Sequence, residues 1–157
     1  MGDKIFYISK KKYEELKKEY KNLLALELKK TKGDIPRLLE SEDVNLEFVN
    51  FQEDLGFLGS RIDELENILK NYQIIVVPSK EKQSEIGLGS IVTVAVDGEK
   101  DQFVITGTLE ANPSLGRISN ESPVGRALLG HKAGDMVVVS SPVNTTYMIK
   151  KIKYLSA

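Results

Sequence analysis

The chain has 157 residues, 22 Lys and Arg against 23 Asp and Glu, a formal net charge of -1 and no Cys. That length holds one domain or two small ones. The absence of thiols excludes disulfides and thiolate metal sites, and the near-neutral total argues against nucleic acid as the main partner.

The charge is unevenly spread. Residues 1–39 carry 11 basic and 6 acidic side chains, a net of +5. Residues 40–72 carry 2 and 9, a net of -7, and residues 73–157 carry 9 and 8, a net of +1. Opposite charge on neighbouring arms favours their pairing. No apolar run is long enough for a membrane span or a leader peptide, so a soluble protein is expected. The missing thiols fit a cytoplasmic location, and a monomer is expected.

In chain order, Ile5–Ile8 form a short apolar lead-in and Ser9 is placed to cap a helix. Tyr13, Leu16, Tyr20, Leu23 and Leu24 then recur at steps of mostly three and four, the stripe of an amphipathic helix. Leu26 and Leu28 blur that register. Gly33 and Pro36 predict a kink or a restart, because Pro lacks the amide and crowds the preceding turn. A second helical run begins near Asn45. Leu46, Phe48, Val49, Phe51, Leu55, Phe57, Leu58, Ile62, Leu65, Ile68 and Leu69 supply its apolar cover, with Gly56 and Gly59 read as points of close helix approach. The two runs, roughly 9–38 and 45–70, predict an antiparallel coiled-coil hairpin over residues 1–74. Its turn is acidic, with Glu40, Glu42 and Asp43 followed by Glu47. Such a rod would carry carboxylates at its far end.

From Gln73 the period turns from helical to strand-like. Strands are predicted at Gln73–Val77, Ile91–Val96, Gln102–Thr108, Met136–Ser140 and Thr146–Tyr154, with Asp97-Gly98 as a hairpin turn. Ser122 before Pro123 starts a short helix that Gly130 stops. Residues 75–157 thus read as a twisted antiparallel sheet with one short helix, and the whole chain as α+β.

Autonomous chemistry has little support. Gly87-x-Gly89 precedes a strand, which does not suit a nucleotide loop. His131 stands alone, with no Ser–His–Asp arrangement available to it.

Two ordered signatures resemble the Gre family of bacterial transcript-cleavage factors. One is Ile118-Ser119, Ser122-Pro123-Val124-Gly125-Arg126-Ala127-Leu128-Leu129-Gly130, Gly134-Asp135 and Pro142. The other is Asn45, Glu47 and Phe48, followed by Gly56-Phe57 and Arg61-Ile62. The resemblance spans essentially the whole chain. It implies an FKBP-like second domain that binds bacterial RNA polymerase at the rim of its secondary channel. On that resemblance Ser122, Pro123, Gly125, Arg126, Gly130 and Asp135 form the polymerase-facing segment. The coiled coil enters the channel, and its tip residues Glu40, Glu42, Asp43, Asn45 and Glu47 assist the polymerase near the RNA 3′ end. Mg²⁺ would be shared with the polymerase, with Glu42 and Asp43 as the contributing carboxylates and no tightly bound cofactor. Lys11, Lys12 and Lys18 would meet RNA or the channel wall. The factor is then an activator of another active site, without turnover of its own. The implied prolyl-isomerase fold does not bring that activity, since the second domain has no Trp and few aromatics.

The tip departs from the family. Its usual form is Gly-Asp-Leu-x-Glu-Asn-x-Glu-Tyr, and the matching stretch here is Glu40-Ser41-Glu42-Asp43-Val44-Asn45-Leu46-Glu47-Phe48. Ser41 and Val44 stand where the two catalytic carboxylates are usual. Two outcomes stay open. Glu42 and Asp43 substitute and cleavage of backtracked RNA is stimulated, or the chain is a secondary-channel regulator or competitor that does not stimulate it. Plainer roles stand beside these. Asn45 and Glu47 suit the start of a helix, Ser122 to Gly130 suits a capped and packed helix, and Asp135 suits a turn.

Overall fold

The computed structural model describes residues 4–32, 46–140 and 143–155, and the side chains of Glu47 and Phe48 are outside that description. Two units are distinguished by their internal packing. One is built from Lys11–Tyr72, and the other combines Ile5–Lys10 with the chain from Gln73 onward.

The first unit holds α1 (Lys10–Lys32) and α2 (Leu46–Lys70). The helices run antiparallel, because partners climb one as they descend the other. Tyr13 stacks on Tyr72 at 4.6 Å, Tyr20 Oη donates to Glu66 at 2.8 Å, and Lys30 lies 3.5 Å from Asp54. Leu58, Ile62 and Leu65 of α2 are buried at alternating four- and three-residue steps, with Leu16 of α1 buried as well. Helices of this kind are marginal alone, and such a seam supplies the missing stability.

Two expectations about α2 are corrected. Phe57 is 78% exposed and Leu46 71%, so neither belongs to the seam. Position 57 falls one residue short of Leu58, about 100° around the helix from it. Gly56 and Gly59 are not points of close approach, since a Cβ added at either meets nothing within 4 Å. The expected kink at Gly33–Pro36 lies outside the described residues.

In the second unit, β1 (Phe6–Ile8) pairs with β2 (Tyr72–Ile74), and the Ile75 amide donates to Ile8 O at 2.9 Å. The lead-in is therefore a strand, and the strand expected over Gln73–Val77 is shorter and begins earlier. A five-stranded sheet follows, made of β3 (Ser90–Val96), β4 (Glu99–Thr106), β5 (Arg117–Ser119), β6 (Met136–Val139) and β7 (Thr145–Tyr154). Its order is β5-β4-β3-β7-β6. Asp97 and Gly98 join β3 to β4 with φ of 52° and 81°, the pair of positive values that a two-residue hairpin turn requires.

The sheet is mixed, which corrects the all-antiparallel expectation. β4 and β5 run parallel, Val104 opposite Arg117. The connection between them holds two short 3-10 turns, Thr108–Glu110 and Pro113–Leu115, and this excursion lets the chain re-enter in the same direction. One face of the sheet carries the core. Val92, Val94, Ile105, Val137, Val139 and Ile149 pack there against Leu128 of α3 (Pro123–Leu128).

Candidate functional site

The tip residues expected at the hairpin turn, Glu40, Glu42, Asp43 and Asn45, lie outside the described residues, as do Ser41 and Val44. Glu47 is described in its backbone alone, in the first turn of α2.

On α1, Lys18 joins Lys17, Lys21, Glu14 and Asn22 around a shallow depression of about 240 Å³. Lys11 is exposed one heptad before Lys18, hence on the same side of the helix. Lys12 is half-buried, and its charge helps to stabilise the Glu19 carboxylate. The structure thus gathers Lys11 and Lys18 on one face and sets Lys12 apart.

Glu19 is the hub of the helix pair. It accepts from Arg61 Nε at 2.7 Å and from Arg61 Nη2 at 3.0 Å, a two-point match of guanidinium and carboxylate. Arg61 Nη1 also lies 3.1 Å from Glu64. The Arg61 hydrogen bond holds the Glu19 carboxyl below its ordinary range, and the same contact pushes the guanidinium further up.

The segment from Ser119 to Asp135 is built largely from backbone constraints. Ser122 Oγ accepts the Gly125 amide at 3.1 Å and donates to Ser119 O at 2.7 Å, so it caps α3 and ties it to β5. Pro123 occupies the first turn, where its missing amide costs nothing. Gly125 is buried, and a Cβ there would stand 2.0 Å from Ser119 O. Gly130 ends the helical segment at φ 82°, its amide on Ile86 O at 2.8 Å. Asp135 accepts the Lys132 amide at 2.9 Å and lies 3.1 Å from His131 Nδ1. The amide first, then the imidazole, holds its carboxyl below the usual range. Ser122, Gly125, Gly130 and Asp135 therefore shape the surface, while Pro123 and Arg126 are exposed on it.

Other anchors escape sequence reading. Glu110 accepts the Ser9 amide at 2.8 Å and the Ser9 hydroxyl at 2.6 Å. A Cβ on Gly107 would stand 1.8 Å from Tyr7 O, so β1 passes directly over that glycine. Thr108 Oγ1 donates to Glu121 at 2.7 Å and lies 2.9 Å from Ser119 Oγ. These contacts join distant chain segments, and no local pattern announces them. Among the described residues no cluster of His, Cys, Asp and Glu is arranged to hold a metal ion. No helix among them is long and apolar enough to cross a membrane.

A paired-helix unit followed by a small sheet capped by Ser122–Gly130 is the arrangement that the two signatures lead one to expect. Comparison with known proteins gives the family. Residues 6–74 match the model described as transcription elongation factor, N-terminal, and residues 80–154 match transcription elongation factor, GreA/GreB, C-term. The chain belongs to the GreA/GreB family of transcription elongation factors.

Among individual relatives, transcription elongation factor GreA of Thermomicrobium roseum is 39% identical over 148 residues, covering 93% of this chain and 94% of that protein. GreA of Pelobacter propionicus is 36% identical, covering 94% and 96%. Of solved structures, GreA factor homolog 1 (Gfh1) of Thermus thermophilus is 27% identical, covers 96% of this chain and 99% of its own, and aligns with a TM-score of 0.42. A GreA/GreB factor of Nitrosomonas europaea is 19% identical, with the same coverage and a TM-score of 0.44.

Proposed function

We propose that this chain is a factor of bacterial RNA polymerase that occupies the secondary channel without stimulating transcript cleavage, and so regulates access or competes with cleavage-competent relatives. One observation carries the reading. Ser41 and Val44 occupy the two tip positions at which the family normally presents carboxylates. Hydrolysis through two metal ions needs anionic oxygens to hold the mobile Mg²⁺, and a neutral hydroxyl and an isopropyl group supply none. Misplacement by about 1 Å costs about 100-fold in rate, so neighbouring charges are poor replacements.

In this reading the helix pair is the finger that enters the channel. The second unit is an FKBP-like module that docks at the channel rim through the exposed parts of Ser122–Gly130, chiefly Pro123 and Arg126. Lys11 and Lys18 face the channel wall or RNA. Glu42 and Asp43 bring hard oxygen donors that suit Mg²⁺, yet two carboxylates on a turn do not make a tight site alone, and any metal contact is completed by the polymerase. The protein is cytoplasmic and has no turnover of its own.

Those same two carboxylates favour a second reading, in which they take over the lost roles and cleavage is stimulated. One assay separates the two. Backtracked elongation complexes are given Mg²⁺ and the factor, and release of short 3′ RNA fragments is timed. The non-stimulating reading expects no acceleration by the natural sequence, undiminished polymerase binding, and a gain of cleavage in Ser41→Asp plus Val44→Glu. Acceleration by the natural protein that is lost in Glu42→Gln plus Asp43→Asn would establish the second reading instead.

A further inference from the structure

The face of the five-stranded sheet opposite α3 has an unusual charge distribution. Strand register places Lys151, Thr93 and Gln102 in one row across it, and Lys153, Ile91, Val104 and Arg117 in the next. Met136, Met148, Ala95 and Lys100 form a third.

A bulge adds one more cation. Register shifts between Thr93 and Val94, whose partners on β7 are Lys151 and Ile149, so Lys150 is the extra residue. Ile149 and Ile152 both pack with the core, three positions apart, which strict alternation forbids. The bulge reconciles them by turning the consecutive residues Lys150 and Lys151 to the outer side.

Lys100, Arg117, Lys150, Lys151 and Lys153 are all exposed. None pairs with a carboxylate among the described residues. No Asp or Glu occupies the outer positions of any of the five strands. Five of the nine basic side chains of residues 73–157 thus share one face, in a protein whose total charge is -1.

Among the cations lie two apolar patches, half-buried Ile91 with Val104 and half-buried Met148 with Ala95, the second continuing to Met136 (63% exposed) and Val138 (60%) on the edge strand β6, and the row of Lys151, Thr93 and Gln102 runs between them. Lys153 and Arg117 flank Ile91 and Val104 from three strands apart, about 14 Å. Apolar patches set among charged side chains are the layout of a protein interface. A phosphate backbone has no use for the apolar patches, and no aromatic ring stands at the outer positions of these strands to stack a base.

We propose that the outer face of this sheet docks an acidic amphipathic helix of a partner protein, its apolar stripe on Ile91, Val104 and Met148 and its carboxylates on Lys150, Lys151, Lys153 and Arg117. The surface lies across the sheet from α3, and the proposal stands whichever way the cleavage assay falls.

The test uses the full chain and a labelled helical peptide of about 18 residues, five turns, with Leu on one stripe and Glu on both flanks. Fluorescence anisotropy is expected to show binding that weakens about tenfold or more when Gln replaces Glu in the peptide. The same loss is expected in Lys150→Glu/Lys151→Glu/Lys153→Glu, with affinity retained in the matching Lys→Arg triple. Arg117→Glu, on a different strand, gives a smaller loss and guards against misfolding of the triple variant. Amide shift changes should fall on β3, β4 and β7. Unchanged affinity in the charge-reversed proteins, shift changes confined to α3, or stronger competition by short duplex DNA than by unlabelled peptide would each overturn the proposal.

Discussion

The helix pair and the sheet unit are held together in different ways. In the helix pair the buried contacts form one seam, and its polar contacts, Glu19 with Arg61 and Tyr20 with Glu66, are side chain to side chain and partly exposed. In the sheet unit the polar contacts run mostly to the backbone: Ser122 to Ser119 and Gly125, Asp135 to Lys132, and Tyr154 to Glu85 O at 2.7 Å. A seam accepts many sequences that keep a period. A backbone-fastened unit accepts few substitutions at its fastening points, and this is where the long ordered signature lies.

The sharpest way to break this contrast is along the seam. Leu65 is fully buried and Phe57 is 78% exposed, eight residues away on the same helix. Leu65→Ala should cost about 2–5 kcal/mol in denaturant unfolding. Phe57→Ala should cost less than about 0.5 kcal/mol. Equal losses would mean that the seam has been assigned to the wrong side of α2.

Glycine replacement sharpens the comparison, because one substitution should take opposite signs in the two units. Gly125→Ala drives a Cβ against Ser119 O and should destabilise by about 1–3 kcal/mol. Gly56→Ala and Gly59→Ala meet open space within α2 and should each stabilise by about 0.5–1 kcal/mol through helix propensity. Thermal melts of the three variants decide it.

The smallest effect concerns pH. The carboxyl of Glu19 is lowered from its ordinary 4.5 by Arg61, so its contribution is fully present above the unfolded value and fades as pH falls through the folded one. Both side chains are more than a third exposed, and solvent limits the contribution to about 0.5 kcal/mol. Glu19→Gln should therefore lower stability slightly at neutral pH and lose its effect in acid. A difference that persists at low pH would point to packing as the cause.

Where the sequence was legible, the signal was local. Asp97-Gly98 marks a turn because few residue pairs accept two positive φ values, and Ser122-Pro123 marks a helix start because cap and first-turn rules coincide there. β5 was missed because three residues, Arg117–Ser119, cannot display a period, and its parallel pairing depends on an excursion with no repeating pattern. The outward turn of Lys150 was hidden for a related reason. The three-residue step from Ile149 to Ile152 looks like noise in a strand until the register with β3 is known. Phe57 misled through composition, since an apolar ring one step off the stripe resembles the stripe itself. At the expected tip the departure of Ser41 and Val44 from the family pattern is read from the sequence alone, since both lie outside the described residues. The cap at Ser122 and the turn at Asp135 were legible locally, whereas the close approach of Ser119 O that fixes Gly125 appears only in the fold.

The anchoring of Ser9 on Glu110, 101 positions later, has a consequence for biosynthesis. β1 leaves the ribosome well ahead of Ile75, Gly107 and Glu110, which must all be made before its neighbours exist. At translation speeds of about 5–20 residues per second, it waits several seconds, time enough for the helices to form first. A shortened polypeptide starting at Gln73 would omit this early strand and leave Glu110 without its Ser9 donors. Such a fragment needs residues 5–10 restored, by fusion or as a separate peptide, to complete its unit.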